Sequence, residues 1–124
     1  MIYLDTHAVV WLYAGETSRF TPEGRDLMER NDLLVSPMVE LELQFLKEIG
    51  RLEAFSSQIL ESLRATTGLT ICPLPFSRVI VEAAALDWTR DPFDRIIAGQ
   101  SRAGQAPLLT KDQLLHKHFE LARW

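Results

Sequence analysis

The chain has 124 residues, the usual length of one domain with a single hydrophobic core. Hydrophobic residues make up 47% and charged residues 24%, an ordinary globular composition that excludes a disordered chain. The net charge of −4 disfavours unassisted binding to a polyanion such as nucleic acid, and no apolar run approaches the ~20 residues of a membrane span.

Short apolar runs alternate with helical stretches along the chain, which is the pattern of a parallel α/β sheet. Strands are predicted at residues 1–4, 33–35, 69–72 and 108–109. Helices are predicted at residues 7–14, 22–30, 37–50, 56–67, 76–86 and 92–104, with a short helix after Asp112. We therefore expect a single α/β domain over residues 1–124, with a central parallel sheet of four or five strands flanked by helices.

The start of the chain and its cysteine content bear on the cellular compartment. The first strand begins at once, without the basic region and apolar core of a signal peptide. Cys72 is the single cysteine, which excludes an internal disulfide and a cysteine-type metal site. Its apolar neighbours indicate a core thiol rather than a nucleophile. The sequence predicts a cytoplasmic protein that does not enter a membrane.

Four acidic residues stand in apolar sequence at positions that an open sheet would bring together. Asp5 and Asp112 follow predicted strands, at the sheet edge where such folds place their sites. Asp94 lies in the first turn of a helix, on its inward side, and Glu42 lies on an apolar helix face. A buried carboxylate without a partner is costly, so such groups neutralise, pair or bind metal. The four are predicted to be catalytic metal ligands, with Asp5 and Asp94 as the direct ones.

The helix at residues 37–50 has two glutamates that must face opposite ways, because they are two residues apart. All neighbours of Glu42 at three and four residues are apolar, whereas those of Glu40 are mostly polar. Glu42 is therefore expected to point into a cleft and Glu40 into solvent. The alternative for Glu42 is a buried salt bridge to an arginine such as Arg95.

Helix capping is the simpler explanation for the aspartates taken one at a time. Asp5 and Asp112 each precede a predicted helix, and Asp91 precedes a proline at the first helical position. The helix dipole also favours an acid at Asp94. For Asp91, capping and metal binding remain equal alternatives.

Histidines and tryptophans give no clear catalytic pattern. His116 and His118 lie in a polar tail, and only His7, beside Asp5, is placed to contact a substrate. No serine or cysteine stands at a nucleophile elbow, and the glycines form no phosphate-binding loop. The tryptophans are interpreted as packing residues rather than base-stacking platforms, and they are Trp11, Trp88 and Trp124.

Several segments together resemble PIN domains, most of all the VapC-type toxins of bacterial type II toxin–antitoxin pairs. They are residues 1–7, Ser36 with Glu42, residues 46–52, the block at 90–98 and residues 109–112. The block at 90–98 is the most specific, and the resemblance covers the whole chain. It implies a ribonuclease fold whose four-acid site binds Mg²⁺ or Mn²⁺.

The resemblance also assigns individual residues and partners. By position, it implies that the acid quartet is Asp5, Glu42, Asp94 and Asp112, with Asp91 as an additional acid of one branch. Thr6 and Thr110 match polar residues bordering the site, and Arg95 is placed with them as a substrate-positioning residue. Lys111 and Glu40 depart from the usual pattern. The resemblance further implies an RNA substrate, a homodimer and a partner antitoxin.

The predicted function is that of a metal-dependent endoribonuclease acting as a toxin. Oxygen ligands suit the hard cations Mg²⁺ and Mn²⁺, and an ion would activate water for in-line attack on the scissile phosphate. One alternative is a phosphate-handling domain, phosphatase or receiver-like, in which Lys111 could act but His7 replaces an expected acid. The other is a non-catalytic protein-binding module whose acids are structural.

The helices at 37–50 and 56–67 contain more apolar residues than one small sheet can cover. Such a surplus usually marks a partner surface, and a two-fold dimer is its commonest form. The residues are Leu41, Leu43, Phe45, Leu46, Ile49, Leu52, Phe55, Ile59, Leu60 and Leu63. The sequence predicts a homodimer; the alternative is that another part of the same chain covers this surface.

Overall fold

A five-stranded parallel sheet flanked by seven α-helices forms the protein, as a computed structural model of all residues 1–124 shows. The strands are β1 (Ile2–Leu4), β2 (Leu33–Val35), β3 (Thr70–Ile71), β4 (Leu108–Leu109) and β5 (Ala122–Arg123). The helices are α1 (Thr6–Tyr13), α2 (Pro22–Arg30), α3 (Pro37–Glu48), α4 (Ser56–Thr67), α5 (Phe76–Ala84), α6 (Pro92–Ala103) and α7 (Gln113–His118). The predicted α/β class is confirmed, and the chain has no helix long and apolar enough to cross a bilayer.

The strand order is β3-β2-β1-β4-β5, with β1 at the centre. Ile2 pairs with Leu33 of β2, and Leu4 pairs with Leu109 of β4. The chain builds the sheet outward from β1 through β2 and β3, then crosses back to add β4 and β5 on the other side. Open sheets bind ligands at the carboxyl ends of the strands where the order reverses in this way. That point lies between β1 and β4.

Most element bounds agree with those predicted from the sequence. α2, α4, β2 and β4 have the predicted residues, whereas α5 ends two residues earlier and α1 is shifted one residue toward the N-terminus. β5, of two residues, is not among the strands located from the sequence. A short 3₁₀ helix at Thr17–Arg19 is also absent from the prediction.

The three central strands, β1, β2 and β4, are largely buried, which explains why they read as continuous apolar runs. Ile2, Tyr3 and Leu4 of β1 are all inaccessible to solvent or nearly so. The hydroxyl of Tyr3 lies 3.2 Å from Sγ of Cys72, which is itself buried. Burial and this contact raise the pKa of Tyr3 above its ordinary value. Cys72 is thus a core thiol, as expected.

α6 is held against α5 by a close approach and by an arginine. A Cβ on Gly99 would lie only 2.9 Å from the Cβ of Ala83, so the two helices meet where α6 has no side chain. Arg95 donates hydrogen bonds of 3.2 Å to the carbonyls of Ala83 and Ala84 at the end of α5. These contacts fix the first turn of α6 and therefore the position of Asp94.

Candidate functional site

The four predicted acids line one cleft of about 310 Å³ at the carboxyl end of the sheet. Asp5 follows β1 and Asp112 lies just beyond β4, while Glu42 comes from α3 and Asp94 from the first turn of α6. Four segments far apart in the chain thus contribute one carboxylate each. The structure brings together the residues that strand ends and helix periodicity had placed at this edge.

Asp5 and Asp112 cap helices without losing their place in the cleft. Asp5 is 4% exposed; its Oδ1 accepts from the backbone N–H of Thr6 at 2.8 Å. Asp112 accepts through Oδ1 from the N–H groups of Leu114 and Leu115, at 2.8 and 3.0 Å. Each cap uses only one oxygen of the carboxylate. Capping and a functional role are therefore compatible for both residues.

The two predicted threonines hold the carboxylates in place. Thr110 donates from its hydroxyl to Oδ2 of Asp5 at 2.6 Å and accepts from the N–H of Asp112 at 3.1 Å. Thr6 donates from its hydroxyl to Oε1 of Glu42. Both threonines are buried. Their hydroxyls thus link the quartet to the ends of β1 and β4 and are not directed at solvent.

The cleft has a concentrated negative charge, and Arg51 lines it without forming an ion pair with any of the four acids. Burial, reinforced by the charges of the neighbouring acids, raises the pKa of Asp94 to about 7. Burial also raises the pKa of Glu42, against the opposing effect of the Thr6 hydroxyl. None of the four carboxylates forms an ion pair with a lysine or arginine; the nearest basic group is Nδ1 of His7, 3.7 Å from Oδ2 of Asp5.

Asp91 is an exposed N-cap of α6. Its Oδ1 accepts from the N–H of Phe93 at 2.8 Å and from the N–H of Asp94 at 3.2 Å. Its charge still raises the pKa values of Glu42 and Asp94, so it lies near the cleft. The capping role is confirmed, and a role as metal ligand stays a prediction.

Glu40 and Arg95 both lie outside the acid cleft. Glu40 faces away from the acid cleft, as expected; it is half-buried and lines a second cavity of about 460 Å³ beside α4 and β3. The guanidinium of Arg95 binds the end of α5 and makes no salt bridge to Glu42. The alternative explanation of Glu42 is therefore excluded. Substrate positioning by Arg95 stays a prediction.

An aromatic cluster on one wall of the cleft was not predicted from the sequence. Trp11 lines the cleft and packs edge-on against Phe20 and Trp124, with ring centroids 6.4 and 5.6 Å apart. His7 lies 5.0 Å from Trp11, and its Nε2 accepts from the N–H of Lys111 at 2.8 Å. The interpretation of Trp11 as packing alone is incomplete. The four-residue spacing of His7 and Trp11 on one helix face could have indicated it.

The fold is shared with known proteins. Ten chains of solved structures match, among them the crystal structure of VapBC2 from Rickettsia felis bound to a DNA fragment from their promoter. That match covers 99% of this chain and 98% of the other, with a TM-score of 0.73 and 19% sequence identity. No curated protein matches the chain significantly. The family model of the PIN domain matches residues 2–119, and the chain therefore belongs to the PIN domain family.

Proposed function

We propose that this protein is a metal-dependent endoribonuclease and the toxin of a VapC-type toxin–antitoxin pair. The observation that carries the proposal is the convergence of four carboxylates, none of them ion-paired with a lysine or arginine, in the cleft of a PIN domain. The matching Rickettsia felis structure is a VapBC2 bound to promoter DNA, which supports an antitoxin partner. The single buried thiol supports a reducing compartment such as the cytoplasm.

The donor set fits a hard divalent ion, Mg²⁺ or Mn²⁺. Asp5 and Asp94 would hold it directly, and Glu42 and Asp112 directly or through water. As positioned, no three acidic or histidine side chains enclose an ion, so the other carboxylates must turn toward the fixed carboxylate of Asp5 to bind one. When bound, the ion would supply charge neutralisation and activation of water for in-line attack on the RNA phosphodiester.

The protein's own groups prepare this chemistry. Thr110 and the N–H of Thr6 hold both oxygens of Asp5, so its carboxylate keeps one orientation. Asp94 is partly protonated near neutral pH and would release its proton to solvent when a cation binds. Glu42, with its pKa raised by burial, can accept the proton of the attacking water. The phosphatase- or receiver-like alternative is weaker, because Nζ of Lys111 lies over Trp11 and pairs with none of the acids.

RNA cleavage by the purified protein is expected to require Mg²⁺ or Mn²⁺, to stop in EDTA and to return when the ion is restored. Without a cation, four carboxylates repel the phosphodiester. Gel analysis of a mixed RNA substrate measures this. Cleavage at the full rate by metal-stripped protein would contradict the proposal. The absence of cleavage both with and without metal would also contradict it, because that is what a protein-binding module predicts.

The proposed homodimer rests on an exposed apolar stripe of α3. Leu41, Phe45 and Ile49, spaced by four residues, are 56%, 44% and 49% exposed, and Phe55 before α4 is 54% exposed. In contrast, Leu43, Ile59, Leu60 and Leu63 are buried in the core of the same chain. The expectation of surplus apolar residues on α4 is therefore wrong. The proposed partner surface consists of the α3 stripe and Phe55.

Phe45→Glu is expected to convert the dimer into a monomer, because it places a charge in the middle of the stripe. Light scattering should give twice 14.2 kDa for the unmodified chain and 14.2 kDa for the variant. Leu114→Glu is the matched control, since Leu114 is also exposed but lies on α7. A wild-type mass of 14.2 kDa at micromolar concentration would rule out the dimer.

A further inference from the structure

The aromatic wall of the acid cleft has two cations beside it, in addition to Arg51, which lines the cleft itself. The indole of Trp11 is half-buried and lines the cleft together with the four carboxylates. The guanidinium carbon of Arg19 lies 5.0 Å from its ring centroid, and Nζ of Lys111 lies 5.7 Å from it. Both distances are within the range of cation–π attraction. The positive charges are thus held beside the cleft by an uncharged surface.

The indole that holds these cations is itself fixed. Phe20 and Trp124 pack against Trp11 edge-on, and the two stack on each other with centroids 4.8 Å apart. The backbone of Lys111 is tied to α1 through its N–H bond to Nε2 of His7. Since Lys111 directly precedes Asp112, its backbone is fixed next to the quartet, and its ammonium group lies over Trp11. The wall is therefore pre-organised.

Neither cation is neutralised by the acid quartet. Lys111 makes no ion pair, although four carboxylates line the adjoining cleft. Arg19 pairs only with Glu16, through Nε, which leaves its terminal nitrogens free to donate. Terminal guanidinium nitrogens and an ammonium group are good donors to phosphate oxygens. The two cations are thus available to an anion that enters the cleft.

We propose that Lys111 and Arg19, positioned by Trp11, form a subsite for the RNA phosphate next to the one that is cleaved. The subsite rests on the proposed ribonuclease function and deepens it. A chain with a net charge of −4 and a cleft of carboxylates has little general attraction for RNA. Local cations at the end of the cleft would supply that attraction and set the direction of the strand.

The test measures binding separately from cleavage. Anisotropy of a labelled short oligouridylate is titrated with salt, with Mg²⁺ present and in an Asp94→Asn background that keeps the RNA intact. Loss of one phosphate contact on a single strand should reduce the salt slope by about 0.7 and weaken binding about fivefold at 0.1 M salt. Lys111→Gln is expected to show this loss, and Lys111→Arg to restore it. Arg19→Gln should act in the same direction.

Arg78→Gln is the control, because Arg78 is exposed on α5, makes no ion pair and changes the net charge equally. In cleavage assays, Lys111→Gln should raise KM and leave kcat unchanged. An equal loss in Lys111→Gln and Arg78→Gln, or no loss in either, would overturn the subsite. Cleavage with an unaltered KM in Lys111→Gln would remove the subsite and leave the ribonuclease standing. If the salt slope of RNA binding depends on Lys111 but the protein never cuts RNA, the subsite stands and the ribonuclease proposal is wrong.

Discussion

Asp5→Asn is expected to reduce RNA cleavage more than about a hundredfold and to leave the fold intact. Changes to the outer partners of metal ligands already cost about 10–100-fold, and this change removes the charge of a direct ligand. The side chain can keep its bonds: the amide oxygen accepts from the N–H of Thr6, and the amide nitrogen donates to the Thr110 hydroxyl. That hydroxyl accepts from Asp112 already and has room for a second donor.

Cleavage rates and thermal melts of three variants measure this effect. Glu42→Gln should behave like Asp5→Asn, because the Thr6 hydroxyl can still donate to the amide oxygen. Glu40→Gln is the matched control on the same helix, in the second cavity, and should remain close to wild-type activity. If Glu40→Gln is the inactive variant and Glu42→Gln is active, the assignment of the quartet is wrong.

Features that depend on neighbours in the chain could be predicted from the sequence. The hydroxyl of Thr21 accepts from the N–H of Gly24 at 3.0 Å, and that of Ser36 accepts from the N–H of Met38 at 3.1 Å. These capping bonds span two or three residues, so the starts of α2 and α3 are visible as local patterns. The orientation of Glu42 toward the cleft could be predicted in the same way, from the apolar residues one helical turn away.

Features that depend on residues distant in the chain could not be predicted. The bond between Lys111 and His7 spans 104 residues, and the bond from the Thr21 hydroxyl to the carbonyl of Trp124 spans 103. Nothing near either residue indicates its partner. The same holds for Arg95, whose carbonyl acceptors lie on another helix, and for the cavity that half-buries Glu40. The wall that holds Trp11 exists only once the sheet is assembled.

The acid quartet depends on both kinds of feature. The positions of its carboxylates follow from local sequence patterns, whereas their pKa values depend on residues distant in the chain. Strand ends and helix faces predict where the carboxylates lie. The rise in the pKa of Asp94 comes first from its burial, then from Asp5 and the nearby Asp91, and then from Asp112 and Glu42, so most of its causes lie far away in the chain. It therefore depends on the assembled cleft. An acid held near its own pKa at neutral pH must reduce the stability of the ion-free fold.

Asp94→Asn is expected to stabilise the ion-free protein at neutral pH while it abolishes cleavage. The ordinary pKa of the aspartate is 3.8, and in the fold it is about 7. Between these values the folded state binds more protons than the unfolded state, so the free energy of unfolding contributed by Asp94 falls as pH rises. Asparagine has no such penalty. With partial exposure to solvent taken into account, the gain is on the order of 2 kcal/mol.

Urea unfolding in EDTA measures the difference between the two proteins. The advantage of Asp94→Asn should be small at about pH 4, below which both states of wild type are protonated, and full at about pH 8. Mg²⁺ should then raise the stability of wild type and have little effect on the variant, because ligand binding stabilises only the form that binds it. A variant less stable than wild type by the same amount at both pH values would mean that the Asp94 carboxylate is not under electrostatic strain. A cation would then have no unfavourable charge to relieve at this position, and the main electrostatic argument for a metal in the cleft would be lost.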